Sequence, residues 1–136
     1  MTPLEQSLIA HEGLKFKPYV DTVGKISCGI GRNLTDKGIS EAEAMAMMRA
    51  DIVESISELD RAFHGWRNHS QVRQDVLVEL QFNMGANRLA GFKKFWAAMA
   101  VKDYATAASE LMASKWATQV GQRAKTLSDR IRSGVQ

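Results

Sequence analysis

Residues 12–31 read Glu12-Gly13-Leu14-Lys15-Phe16-Lys17-Pro18-Tyr19-Val20-Asp21-Thr22-Val23-Gly24-Lys25-Ile26-Ser27-Cys28-Gly29-Ile30-Gly31. Short runs of β-branched and aromatic residues on either side of Asp21-Thr22-Val23-Gly24 predict a small twisted hairpin or three short strands between Lys17 and Gly31. A period of two over Lys25 to Ile30 puts Ile26, Cys28 and Ile30 on one face, with Lys25 and Ser27 on the other. One short segment therefore combines a carboxylate at its start, a second carboxylate in a polar turn and a hydroxyl on a strand.

Upstream, Thr2-Pro3-Leu4-Glu5 is a helix start. Thr2 suits the N-cap, Pro3 the first helical position and Glu5 the closing position of a capping box, and Gly13 is a natural stop. Leu4, Leu8 and Ile9 form one apolar stripe, and Glu12 follows Leu8 by four residues, so its carboxylate is expected at the edge of a buried face. The negative end of the helix macrodipole and partial burial both disfavour a charge there, which favours the protonated acid. Asp21, among Thr22, Gly24 and Ser27, has water and backbone donors to keep it ionised, so two environments can separate two carboxylates.

Downstream, Asn33 to Gly38 is turn-rich, and Ser40-Glu41-Ala42-Glu43 repeats the capping-box pattern ahead of a long helix over about 41–62. Its stripe is Ala44, Met48, Ile52, Ile56 and Leu59, continuing to Phe63. Ser70 caps a further helix bearing Val72, Val76, Leu77, Leu80 and Met84, stopped by Gly85. More helices are expected over Phe92 to Ala100, over Tyr104 to Ala113 behind an Asp103 cap, and over Gln122 to Ser133. The reading is α+β and mostly α.

The chain has 136 residues and is 45% hydrophobic, which supports one shared core rather than two ordinary domains. Cys28 is the only cysteine, so no intramolecular disulfide forms. His11, His64 and His69 are too scattered for a zinc site, and neither metal nor cofactor is expected. No apolar run, Trp96 to Val101 among them, is long enough to span a bilayer, and Glu5 interrupts the place where an export signal would need its apolar region, so stable membrane insertion is not expected. Residues 1–60 hold six Lys/Arg against ten Asp/Glu, and residues 61–136 hold twelve against five. The basic C-terminal part favours a polyanionic partner. Its Lys/Arg are evenly scattered without interleaved aromatic residues, which argues against nucleic acid.

Taken singly, a Glu before Gly at a helix end is ordinarily solvated, and an Asp in Asp-Thr-x-Gly is ordinarily a turn former. Together they suit glycosidic hydrolysis, where one carboxyl group protonates the leaving oxygen and another delivers water or acts as nucleophile. The whole constellation resembles glycoside hydrolase family 24, the phage lysozymes or endolysins, in which Glu, eight residues, Asp, five residues and then Thr or Ser recur. Here these are Glu12, Asp21 and Ser27, within Glu12-Gly13-Leu14-Lys15, Tyr19-Val20-Asp21-Thr22 and Gly29-Ile30-Gly31. The similarity resumes in Phe82-Asn83-Met84-Gly85, Ala90-Gly91-Phe92, Ser114-Lys115-Trp116, Gln119 and Arg123-Ala124-Lys125.

The resemblance implies a lysozyme-like fold in a single domain over 1–136. It has a small N-terminal lobe at about 13–39, helix 3–12 packing on the C-terminal lobe, a connecting helix at about 41–62, and a helical C-terminal lobe at about 63–136. It implies Glu12 as general acid, with Asp21 and Ser27 holding the water that attacks from the opposite face with inversion. Arg123 is implied to approach the acid and oppose the helix dipole. Gly31 and Asn33 border the cleft on one side, with Phe82 and Asn83 on the other. Phe95 and Glu110 fall at further substrate-contact positions but differ in residue type from the family. Trp116 reads as core. Two other departures stand out: Ser27 replaces the commoner Thr, keeping a hydroxyl but losing the methyl that restricts it, and Arg32 replaces a His, turning a titratable group into a permanent cation.

The implied function is an N-acetylmuramidase acting on peptidoglycan for host cell lysis. The resemblance also implies a monomer that waits in the host cytoplasm until a holin opens the inner membrane. A lytic transglycosylase, which needs only the acid, and a non-catalytic cell-wall-binding module stand as alternatives.

Overall fold

The computed structural model describes residues 1–136. The chain divides into two compact units, residues 1–47 and 48–136. It is mostly helical with one small antiparallel sheet, as the sequence predicts.

In the first unit, helix α1 spans Pro3–Glu12 with the capping box in place. Thr2 Oγ1 accepts from Glu5 N at 3.1 Å, and Thr2 N donates to Glu5 Oε2 at 2.6 Å. The helix ends at Gly13, which returns its N–H to Ile9 O with φ at 79°. Strands β1 (Lys15–Val20), β2 (Ile26–Gly29) and β3 (Arg32–Asn33) follow in that spatial order, all antiparallel. Register is regular where Tyr19 faces Ser27 and Val20 faces Ile26, but shifts between Lys15 and Tyr19. Pro18, which has no N–H to give to a ladder, lies inside that irregularity.

Helix α2 spans Glu41–Ala62 and begins on the second capping box: Glu43 N donates to Ser40 Oγ at 3.1 Å, and Ser40 N to Glu43 Oε1 at 2.9 Å. The boundary between the units falls inside α2. The second unit continues through a 3₁₀ turn (Trp66–Asn68), α3 (Gln71–Met84), α4 (Ala86–Ala90), α5 (Lys93–Ala100), α6 (Tyr104–Met112), α7 (Lys115–Val120) and α8 (Gln122–Ser133). Its core gathers Leu59 from α2, Leu77 and Leu80 from α3, Phe95 from α5, Leu111 from α6 and Leu127 from α8, each at most 1% exposed. The predicted bounds of α1 and α3 and the start of α2 coincide with those observed, because each has a cap readable from local sequence, and α8 spans the predicted Gln122 to Ser133.

The 3₁₀ turn, α4 and α7 are absent from the sequence reading. At three, five and six residues, they are shorter than the window over which an apolar stripe becomes a signal. Asp60 fastens the 3₁₀ turn to the end of α2, accepting from Trp66 Nε1 at 2.7 Å and from Arg67 Nε at 2.9 Å.

Candidate active site

Asp21 follows β1 directly and heads the turn into β2. Its Oδ1 accepts two backbone N–H groups, from Val23 at 3.0 Å and Lys25 at 2.9 Å. The Asp21 backbone closes the same turn, with its N–H to Lys25 O at 2.8 Å and its carbonyl accepting from Gly24 N at 3.1 Å. Gly24 can serve there because φ is 81°, a region that side chains other than glycine's seldom occupy. The carboxylate is thus fixed through one oxygen. Its other oxygen, Oδ2, faces Ser27, whose Oγ stands 3.4 Å away. Ser27 is the only buried residue of the first unit, at 4% exposure, so the hydroxyl is sheltered while the carboxylate beside it is half-buried.

Glu12 is the last residue of α1. It is exposed, as are Leu4 and Leu8 before it. This corrects the expected partial burial of its carboxylate: Leu8 and Glu12, four apart, share a helix face, and that face is open at Leu8. What holds Glu12 close is Gly31. A Cβ built on Gly31 would lie 2.5 Å from Glu12 Oε2, 2.9 Å from its Cδ and 3.1 Å from its Cβ. The bare glycine backbone is therefore what lets the Glu12 side chain lie against the β2–β3 loop, and φ at 65° is a second reason for glycine there.

Asn33 closes the next turn with both ends of its amide. Nδ2 donates to Asp36 Oδ2 at 3.0 Å, and Oδ1 accepts from Asp36 N at 3.1 Å. Its side chain is therefore engaged in shaping the loop.

Arg32 binds Glu43 through two parallel hydrogen bonds, Nη1 to Oε1 at 2.9 Å and Nη2 to Oε2 at 2.6 Å. Nη1 also donates to Gly38 O at 3.1 Å. Hydrogen bonds from Arg32 first, and from Ser40 second, hold the Glu43 carboxyl down to about 2 from its ordinary 4.5. Because the folded value lies below the unfolded one, this pair stabilises the fold above about pH 4.5 and loses its contribution as pH falls towards 2. Both groups meet solvent, so the effect is small and weakened by salt. Melting temperatures of wild type and Glu43→Gln should differ at pH 6–8 and converge between about pH 4.5 and 2. A gap that persists unchanged at pH 2 would show that the carboxylate's charge is not what matters.

In the second unit, Phe82 is 43% exposed near the end of α3. With Met48, Ile52, Ile56, Glu79 and Arg123 it lines a cavity of about 390 Å³. Arg123 Nε donates to Glu79 Oε2 at 2.9 Å, and each side chain keeps more than a third of its surface exposed. Glu79 did not emerge from the sequence, since 44 residues separate it from Arg123. The available hint was its position three residues before Phe82, on the same side of a helix. Phe95 and Glu110 meet at another cavity, of about 370 Å³, together with Lys93, Lys94 and Ser114. Phe95 is 1% exposed and packs edge-to-face on Trp96 at 5.3 Å, so it forms the floor, whereas Glu110 is half-buried in the wall. Asn83 is exposed, and Trp116 is core, as expected. Glu12, Asp21, Ser27, Gly31 and Asn33 belong to the first unit, and Phe82, Asn83, Phe95, Glu110 and Arg123 to the second.

Against known families, residues 9–133 match the model described as phage lysozyme. The chain belongs to the phage lysozyme family. Among its relatives are two proteins of Dictyostelium discoideum, "Probable T4-type lysozyme 2" and "Probable T4-type lysozyme 1". They are 27% and 23% identical, each over 99% of this chain and 96% of the relative. As a phage-type lysozyme the chain is a glycoside hydrolase of the cell-wall-degrading kind. No helix of this lysozyme is long and apolar enough to cross a membrane.

Proposed function

We propose that this lysozyme is an N-acetylmuramidase, hydrolysing the β-1,4 bond between N-acetylmuramic acid and N-acetylglucosamine in peptidoglycan with inversion at the anomeric carbon. The observation that carries the reading is the asymmetry of Asp21, with Oδ1 engaged by two backbone N–H groups and Oδ2 directed at the hydroxyl of buried Ser27. A carboxylate held in this way keeps one oxygen for a water, and a serine hydroxyl, able to donate and accept, supports the same water from the side. In an inverting hydrolase the carboxylate takes a proton from that water as it attacks. On the opposite face the acid gives its proton to the departing sugar oxygen. Glu12 is the proposed acid. Arg123 is its proposed cationic partner, a role that rests on the family pattern.

The proposed substrate contacts divide by what their side chains have free. Gly31 and Asn33 contribute through the shape of their loops, and Phe82 and Asn83 through an exposed ring and amide. Glu110 contributes through its carboxylate, over a floor made by Phe95. No metal or cofactor enters this chemistry. The proposed setting is host cell lysis, by a monomer held in the cytoplasm until a holin admits it to the wall.

Digesting purified peptidoglycan and weighing the fragments tests the reaction. Muramic acid at a free reducing end, released first as the inverted anomer, is the expected product. Fragments ending in 1,6-anhydro-muramic acid would make the chain a lytic transglycosylase. Sedimentation with the wall at constant turbidity would make it a binding module.

A further inference from the structure

The indole N–H of Trp116 donates to Asn83 Oδ1 at 2.7 Å. An indole nitrogen has only a hydrogen to give, so the amide atom that faces it has to be the carbonyl oxygen. A side-chain amide is ordinarily free to exchange its two ends, but this one is not.

The indole itself is immobile. Trp116 is 1% exposed and occupies the first turn of α7. That turn is pinned by Ser114, whose Oγ accepts from Ala117 N at 3.2 Å and donates to Leu111 O at 2.6 Å. The turn of α3 that carries Asn83 is closed by Gly85, which donates its N–H to Gln81 O at 2.9 Å. Arg88 and Gln119 form a second side-chain tie, between α4 and α7. Asn83 is exposed and adjoins Phe82. With Oδ1 committed inward, the two hydrogens on Nδ2 are what the amide offers to a ligand.

We infer that Trp116 is a positioning residue that makes Asn83 a donor-only reader of a carbonyl oxygen on the peptidoglycan strand. The inference rests on the hydrolase reading above with Asn83 in contact with substrate, and adds the polarity of that contact and the residue that sets it. A freely turning amide would accept as readily as it donates and would pair with sugar hydroxyls in either sense. The locked one selects an acceptor, and the abundant acceptors on this polymer that cannot themselves donate are the carbonyls of N-acetyl groups and of the peptide stem.

Steady-state kinetics on purified peptidoglycan, with wild type, Trp116→Phe, Asn83→Ala, their double variant and Asn83→Asp, tests this. Trp116→Phe keeps a ring in the core and removes the N–H. Asn83→Ala should raise KM about five- to tenfold, the worth of one hydrogen bond, and Trp116→Phe about twofold, because an amide free to turn presents its donor end about half the time, with kcat nearly unchanged in both. The double variant should be no worse than Asn83→Ala alone, because without the amide there is nothing left for the indole to orient. Asn83→Asp lies on the surface and does not depend on repacking around Trp116. It still accepts the indole N–H but donates nothing, and should match Asn83→Ala.

Repeating the set on glycan stripped of peptide identifies the acceptor: a penalty that persists assigns the N-acetyl carbonyl, and one that vanishes assigns the peptide carbonyl. Additive penalties in the double variant, an unchanged KM for Trp116→Phe, or a wild-type KM for Asn83→Asp would overturn the inference while leaving the hydrolase reading intact. Wild-type protein that releases no fragments at all would overturn both.

Discussion

Glu12→Gln should lower turnover of peptidoglycan by about 10³-fold, within the range that a positioned general acid contributes, while leaving binding to the wall nearly unchanged. The substitution keeps the shape of the side chain and removes only the proton that the leaving oxygen needs. Glu12 is exposed at the end of α1 and accepts no hydrogen bond that holds the fold together. Stability should therefore change by no more than about 0.5 kcal/mol, as for an ordinary surface position. Turbidity loss, sedimentation with the wall and thermal melting, measured on one preparation, separate these effects. Retention of more than about a tenth of wild-type turnover would remove Glu12 from the acid's role, given what such groups supply elsewhere.

Gly31→Ala should cost about 10²-fold in turnover through geometry alone. The added methyl would sit 2.5 Å from Glu12 Oε2 and 3.1 Å from Glu12 Cβ. The carboxylate can swing away from the first contact. The second involves an atom attached to the helix backbone, so relief requires moving the end of α1 or the loop. Displacement of a reacting group by about 1 Å is enough for a loss of this size. The positive φ adds a conformational cost of roughly 1–2 kcal/mol, and Gly29→Ala isolates that part. Gly29 has φ at 68°, and nothing lies within 4 Å of the Cβ it would acquire. Gly31→Ala should lose at least as much stability as Gly29→Ala, and only Gly31→Ala should lose most of its activity. Equal activity losses would mean that backbone strain, not contact with the acid, governs the loop.

The candidate site could be read along the chain only in part. Glu12, Asp21 and Ser27 were legible because each lies in a local signal: a helix stop, a turn and a strand register. Their spacing converts those signals into one pattern. Asn33 was legible as the start of a turn-rich segment, but the two hydrogen bonds that engage its amide with Asp36 were not. The expected partial burial of Glu12 was wrong because a stripe shows which residues share a face without showing what covers that face.

The sequence by itself determined the helix starts and stops at Thr2, Gly13, Ser40, Ser70 and Gly85, the β-rich character of the segment after Gly13, the mostly helical class and the spacing of the acid, carboxylate and hydroxyl. All of these rest on interactions that reach no further than a few residues, through capping hydrogen bonds, glycine's access to positive φ and alternation along a strand. Only the tertiary structure decided that Gly31 makes room for Glu12, that Glu79 holds Arg123, and that Trp116 turns the amide of Asn83. Each is a contact between segments 19 to 44 residues apart. Such partners are set by how the elements pack, and packing depends on all the side chains at once rather than on any local pattern.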